Sequence, residues 1–277
     1  MKLSRLGLVL FTSFLLVSTS GCGIINRIRA KNEINEAARA YKAGKFQEAE
    51  DHSRRALALD PDQKNAPIFV ARTVHAQYRP GNDTPENVAI ANKAIEAYKV
   101  VLERDPANEE AYLAVTALLG AIKKEAEQRQ WIKQHATNTA VSAEKRADAF
   151  TLMASMDWNC VYQITELAKQ TQGTKIVWSK PKDQGDYDKA KKCATSGMEN
   201  AEKAISLNAE SDLAWSYKMN LLREQAKIAE MDGNTESKEK LLKEADSLQK
   251  KVTDLTEKNQ KKKEAEEAAK KEQEKAK

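Results

Sequence analysis

Glycine and proline are scarce in this chain, ten and six among 277 residues. That excludes most all-β architectures, because a sandwich or barrel needs a turn signal every few residues. Aromatic residues are also few, at 6%. Histidine occurs three times, as His52, His75 and His135, without metal-ligand spacing, and neither an HExxH nor a paired CxxC is present. No glycine-rich phosphate loop occurs, and the carboxylates are scattered along solvated faces. These absences argue against an enzyme and against a cofactor. A strong charge of one sign is missing as well. The formal net charge is +5, and the excess sits mostly in a C-terminal stretch that carries nearly as many glutamates. A nucleic-acid binder would cluster Lys and Arg on one face among aromatics, so no nucleic-acid partner is expected. What remains is 41% apolar and 31% charged residues, a composition that supports a real core and leans toward helices.

The one long apolar run is at the start. Lys2 and Arg5 precede LGLVLFTSFLLV, residues 6 to 17, which is too short to span a bilayer as a mature helix and reads as a secretory signal. STSGC follows, with small Ser20 and Gly21 directly before Cys22. This resembles the lipobox of bacterial lipoproteins, although Thr19 stands where a leucine is usual. The resemblance implies cleavage after residue 21, acylation of Cys22 and stable anchoring by two or more acyl chains. Gly23, in place of an aspartate, implies the outer membrane, facing the periplasm. The alternative is an ordinary secreted protein with a cysteine near its cleavage site. Loss of Lys2 and Arg5 lowers the formal charge from +5 to +3.

An internal repeat organises the rest. In AARAYKAGKFQEAEDHSRRALALDP, residues 37 to 61, Ala37 and Ala49 are small enough for two helices to approach closely. Gly44 supplies a turn, Phe46 plugs the pair, Ala56, Leu57 and Leu59 form an apolar end, and Asp60-Pro61 stops the second helix. These residues resemble the tetratricopeptide repeat, a helix-turn-helix of about 34 residues. A second unit begins near Ala66 and ends AIEAYKVVLERDP at Pro106, with RPGNDTPENV as an inserted loop between its helices. A third starts at EEAYLAVTALLGA, and its second helix, around EAEQRQWIKQ, takes its core contacts from Trp131 and Ile132.

A fourth unit lies in QGDYDKAKKCATSGMENAEKAISLNAE, residues 184 to 210. Gly185, Asp186, Tyr187 and Ala190 match the turn and the start of a second helix, while Ala204, Ile205, Leu207 and Asn208 match its end. The interval between the two ends is longer than in the first unit by about two helical turns, so the apolar face keeps its phase and the helix is extended. The preceding helix, from about Ala143 to Ala168, is long too. Cys160 and Cys193 then lie at similar offsets, ~12 and ~10 Å, from the end of an antiparallel pair. With Cys22 assigned to lipid, a Cys160–Cys193 disulfide is expected in an oxidising compartment. Two reduced, buried cysteines are the alternative. The link TQGTKIVWSKPKDQ, residues 171 to 184, either packs back through Ile176, Val177 and Trp178 or offers them to a partner.

The expected organisation is an all-α, right-handed solenoid of about five tetratricopeptide-like units over residues 32 to 256. It follows a signal (1 to 21) and a lipidated linker (22 to 31), and it precedes a Lys/Glu-rich tail (257 to 277) that is either a solvated helix or disordered. The repeat resemblance implies a scaffold that holds a protein or peptide partner of the cell envelope along its first helices. The candidates lining that groove are Tyr41, Arg72, His75, Leu113, Ala117, Asn220 and Arg223. A passive cell-wall or polymer-binding lipoprotein, acting through its charged tail, is the other reading.

Overall fold

The computed structural model describes the backbone of residues 4–275 and the side chains of residues 23–274. The expected signal, its cleavage site and the acylated Cys22 fall among side chains outside that described range. Ten helices form five consecutive pairs among the described residues: α1 (Ser4–Lys42) with α2 (Phe46–Leu59), α3 (Ala66–His75) with α4 (Pro85–Arg104), α5 (Glu109–Ala121) with α6 (Glu125–Thr137), α7 (Ala143–Leu167) with α8 (Gln184–Leu207), and α9 (Asp212–Met231) with α10 (Thr235–Lys275). No described helix is long and apolar enough to cross a membrane.

The backbone repeats as the sequence does. Within three pairs the turn is built identically. Gly44, Lys123 and Gly233 have φ of 73°, 60° and 73°, and each donates its N–H to the carbonyl three residues back, on Tyr41, Gly120 and Glu230 respectively. Glycine is suited to this left-handed position; Lys123 is the departure. Between pairs a second turn recurs. The N–H groups of Asp60, Asp105 and Asn208 close the preceding helix on Ala56, Val101 and Ala204. Asn108 and Ser211 then cap the next helix by accepting from the N–H of Ala111 and Ala214.

The chain divides into two compact units, residues 1–128 and 129–277. In unit one each helix from α1 to α4 packs on its successor, and α1 also meets α3. Alanines carry the contacts: Ala30, Ala37, Ala49, Ala56, Ala66 and Ala94 are fully buried, and small side chains let helix axes approach closely. Residues 22 to 31, expected as a linker, are helical and continuous with α1, with Ala30 packed beside Ile34, Ala56 and Ala66. Ala30 recurs on the same helical face as Ile34 and Ala37, so the apolar stripe draws this segment into the core. The inserted loop is stitched by one buried side chain. Asn87 accepts from the N–H of Arg79 at 2.9 Å and donates to the carbonyls of Arg79 and Asn82 at 2.8 and 2.7 Å.

In unit two α7, α8 and α9 pack mutually and α10 lies along α9. Gly197 marks where three helices meet: a Cβ there would sit 2.8 Å from Leu221 and 2.9 Å from Asp157. Asp157 is buried and fully engaged, accepting from Arg129 at 2.7 Å and from Ser196 and Asn200 at 2.9 Å. One turn further along α7, the expected bridge is present. Cys160 is joined to Cys193 of α8, with Cα atoms 6.1 Å apart.

Two expectations for the fourth unit are corrected. Gly185 is not a turn residue; it lies in the first turn of α8, its N–H bonded to the Asp183 side chain at 2.7 Å. The link before it, expected only to join two helices of an all-α fold, forms an antiparallel hairpin, β1 (Lys169–Gln172) with β2 (Lys175–Trp178), whose two-residue turn opens on Gly173 at φ 62°. The hairpin packs back on the core of unit two through Trp178, whose backbone N–H donates to the Glu230 carboxylate at 3.3 Å. Lys227 lies over both the Trp178 and Tyr162 rings at 5.3 Å. Ile176 stays half-exposed.

Candidate partner-binding face

Five of the seven candidate residues, Tyr41, Arg72, His75, Leu113 and Ala117, belong to unit one, on α1, α3 and α5. These helices are joined directly: α1 meets α3, and an ion pair links α3 to α5. Arg72 of α3 donates two hydrogen bonds at 2.5 Å to the carboxylate of Glu110 on α5. That pairing draws the Glu110 carboxyl below its ordinary range, and the same hydrogen bonds raise Arg72. Tyr41 lies near enough to Arg72 to act on it electrostatically and rests edge-on against Phe46, ring centroids 5.3 Å apart. Glu110, Leu113 and Ala117 follow one another at helical spacing along α5, so one stripe continues from the ion pair to the two apolar residues.

The availability of these groups differs from what the sequence suggests. Arg72 has its planar fork filled by Glu110. His75 is half-buried, its ring nitrogen 3.2 Å from the Tyr98 hydroxyl; burial lowers its affinity for a proton and raises Tyr98 to about 12. Tyr41, Leu113 and Ala117 are open, with Tyr41 39% and Leu113 52% exposed. The face therefore offers an aromatic ring, an aliphatic side chain and a small residue around a neutralised ion pair. It presents apolar contact area and few free charges.

Asn220 and Arg223 lie on α9 in unit two. Asn220 is half-buried. Arg223 turns toward α10, 3.3 Å from Gln249 and 3.8 Å from Asp246. The reason is local: α10 covers α9 through Leu241, Ala245, Leu248 and Val252, packed on Met219 and Leu222. Arg223 is thus part of an intramolecular contact and is not a free fork for a carboxylate. Glu110 is the residue that sequence reasoning missed. Its signal was faint, a carboxylate in the first turn of a first helix, and its partner stands 38 residues away.

Among the described residues no group of His, Cys, Asp and Glu is placed to hold a metal ion. The remaining charge clusters are internal. Near the β-hairpin, Lys180 and Lys191 meet Asp232 at 2.8 and 3.1 Å, and the Lys180 hydrogen bond above all holds the Asp232 carboxyl far below its usual range. In unit one Glu50, only 1% exposed, binds Lys93 at 2.7 Å, Arg54 at 2.8 Å and Gln77 at 2.7 Å.

No protein-family model matches this chain, and no curated protein matches it in sequence. Solved structures similar to it include a crystal structure of MamA, 15% identical, spanning 82% of this chain and 94% of that one at a TM-score of 0.40. MamA 41-end from Desulfovibrio magneticus RS-1 is 13% identical over 80% and 96%, at a TM-score of 0.38. A tetratricopeptide repeat protein from Parabacteroides merdae ATCC 43184 is 10% identical over 82% and 97%, at 0.35. The chain's own geometry carries the assignment of its architecture: the turn at Gly44, Lys123 and Gly233 and the turn at Asp60, Asp105 and Asn208 recur atom for atom, with Ala37, Ala49 and Ala56 sealed between helices. By the register of its hairpins, the chain has the architecture of a tetratricopeptide-like helical repeat.

Proposed function

We propose that the protein is a lipid-anchored scaffold of the bacterial cell envelope, facing the periplasm from the outer membrane, that holds a segment of a partner protein in envelope assembly or secretion. The observation that carries the scaffold reading is the open face of unit one, where Tyr41, Leu113 and Ala117 lie exposed around the Arg72–Glu110 pair while the other polar groups of the site are engaged. Because its charges are already paired, the favoured partner is a segment with aliphatic or aromatic side chains, and a free carboxylate would have to displace Glu110. The envelope and anchor parts rest on the apolar run of residues 6 to 17 and on the lipobox-like STSGC.

The test is cross-linking capture from intact envelope with the full chain. Tyr41→Ala with Leu113→Glu should lower recovery of the same partner by ~10-fold or more, the loss expected when anchor residues of an interface are removed. Deleting residues 260–277 separates the scaffold from a polymer-binding tail. The cut belongs there, and not at 257, because Lys258 and Asn259 still bond Glu210 and Asp212. Recovery that survives the face variant but fails on tail deletion would transfer the function to the tail.

A further inference from the structure

At the start of the described side chains, α1 carries an apolar stripe that the core of unit one does not use. Ile24, Ile25 and Ile28 are 61%, 51% and 58% exposed. At about 100° per residue they fall within an arc of about 100°. Ala30, Ile34 and Ala37, three of the four residues of α1 buried in the core, lie on the roughly opposite side of the helix. The stripe therefore points away from the body of the unit. Arg27 and Lys31 border it on one side and Arg29 on the other. None of the three cations forms an ion pair among the described residues, and the first acidic residue after Cys22 is Glu33, already held by His52 and Arg55.

An apolar stripe edged by cations is the pattern of a helix lying in a membrane interface, with its aliphatic side chains in the headgroup and acyl boundary and its charges against anionic lipid. We infer that residues 24–31 form a second membrane contact, in which Ile24, Ile25 and Ile28 enter an anionic lipid surface and Arg27, Arg29 and Lys31 lie against its headgroups. Three isoleucines are too few to hold the protein at a membrane alone. Their place in the chain decides the occupant: Ile24 is two residues after Cys22, so acyl chains at that cysteine would keep the stripe at the bilayer surface. The inference rests on that anchor reading. The contact would fix the direction in which α1, and with it unit one, leaves the membrane.

The test is hydroxyl-radical footprinting of the full mature protein, purified from envelope and reconstituted in vesicles containing phosphatidylglycerol, in neutral phosphatidylcholine vesicles or in detergent. On anionic vesicles, labelling at Ile24, Ile25 and Ile28 should fall by ~5-fold or more, since burial at the interface removes these side chains from water. Labelling at Leu113 and Leu213, exposed elsewhere on the chain, should not change. Arg27→Glu with Arg29→Glu and Lys31→Glu should abolish the protection while leaving helical content intact. Unchanged labelling on vesicles, equal protection on neutral vesicles, or protection in detergent that grows with protein concentration would each overturn the inference, the last by showing that a second copy covers the stripe. The mass of the N-terminal peptide reads acylation of Cys22 separately. Acylation without protection refutes the stripe, and protection without acylation refutes the anchor.

Discussion

Glu50 is a carboxylate almost sealed from solvent inside unit one, reached by Lys93, Arg54 and Gln77 from three directions. Burial raises its pKa, but the hydrogen bonds of these partners outweigh burial and leave it below the ordinary value of 4.5. A carboxyl with a depressed folded pKa contributes stability above its unfolded pKa and loses it as pH falls through the folded value. Unit one should therefore weaken as pH drops below about 4.5. Glu50→Gln should cost about 2 kcal/mol at neutral pH, the worth of charge-assisted hydrogen bonds, and the gap to wild type should narrow as pH falls through the depressed folded pKa of Glu50. Denaturant titration at several pH values checks it; a gap that does not change with pH would show that packing, and not charge, makes the difference. Single residues were the least legible part of the sequence. Ala37, Gly44 and Ala56 announce themselves by spacing, because close helix packing admits few alternatives there. Glu110 and Asn87 do not, since the groups they bond are brought near only by the stacking of separate helices and the folding of an inserted loop.

Helices and turns were more legible, and the failures have a common cause. The Asp60-Pro61 and Asp105-Pro106 stops, the two-turn extension of α8 and the level positions of Cys160 and Cys193 follow from local sequence and helical phase. The β1–β2 hairpin was readable in principle from Gly173-Thr174 beside Ile176, Val177 and Trp178, but helical periodicity on both sides drew Gly185 into the wrong role. The Cys160–Cys193 bridge joins α7 to α8 one turn from Asp157, and so braces the pair of helices that flanks the β-hairpin. Closing a loop of 33 residues stabilises by roughly 3 to 4 kcal/mol in the chain-entropy model. Cys160→Ser with Cys193→Ser should lower unfolding free energy by about that amount and leave helical content unchanged. Equal stability of the double variant and wild type under oxidising conditions would show that the bridge is dispensable.

At the scale of the whole molecule, the proposed anchor at Cys22 would decide where the proposed scaffold works. Cys22→Ser should move the exported protein from the membrane fraction to the soluble periplasmic fraction after a high-salt wash, because salt screens Arg27, Arg29 and Lys31 and Ile24, Ile25 and Ile28 alone give only marginal, reversible attachment. Retention of the variant in washed membranes would mean that another part of the chain holds it there. The last hairpin sets a different boundary. In a stack of hairpins each unit rests its apolar side on the next, and the last one must be covered. Here α10 covers α9 with Leu241, Ala245, Leu248 and Val252, Lys251 lies 3.4 Å over the Trp215 ring, and most of the outward residues of α10 are lysine and glutamate. A hairpin appended after α10 would rest on a hydrated surface rich in lysine and glutamate, a poor base for an apolar side. Apolar surface for an extra hairpin lies before Thr235, between α9 and its cover, so growth from within suits this architecture better than growth past α10.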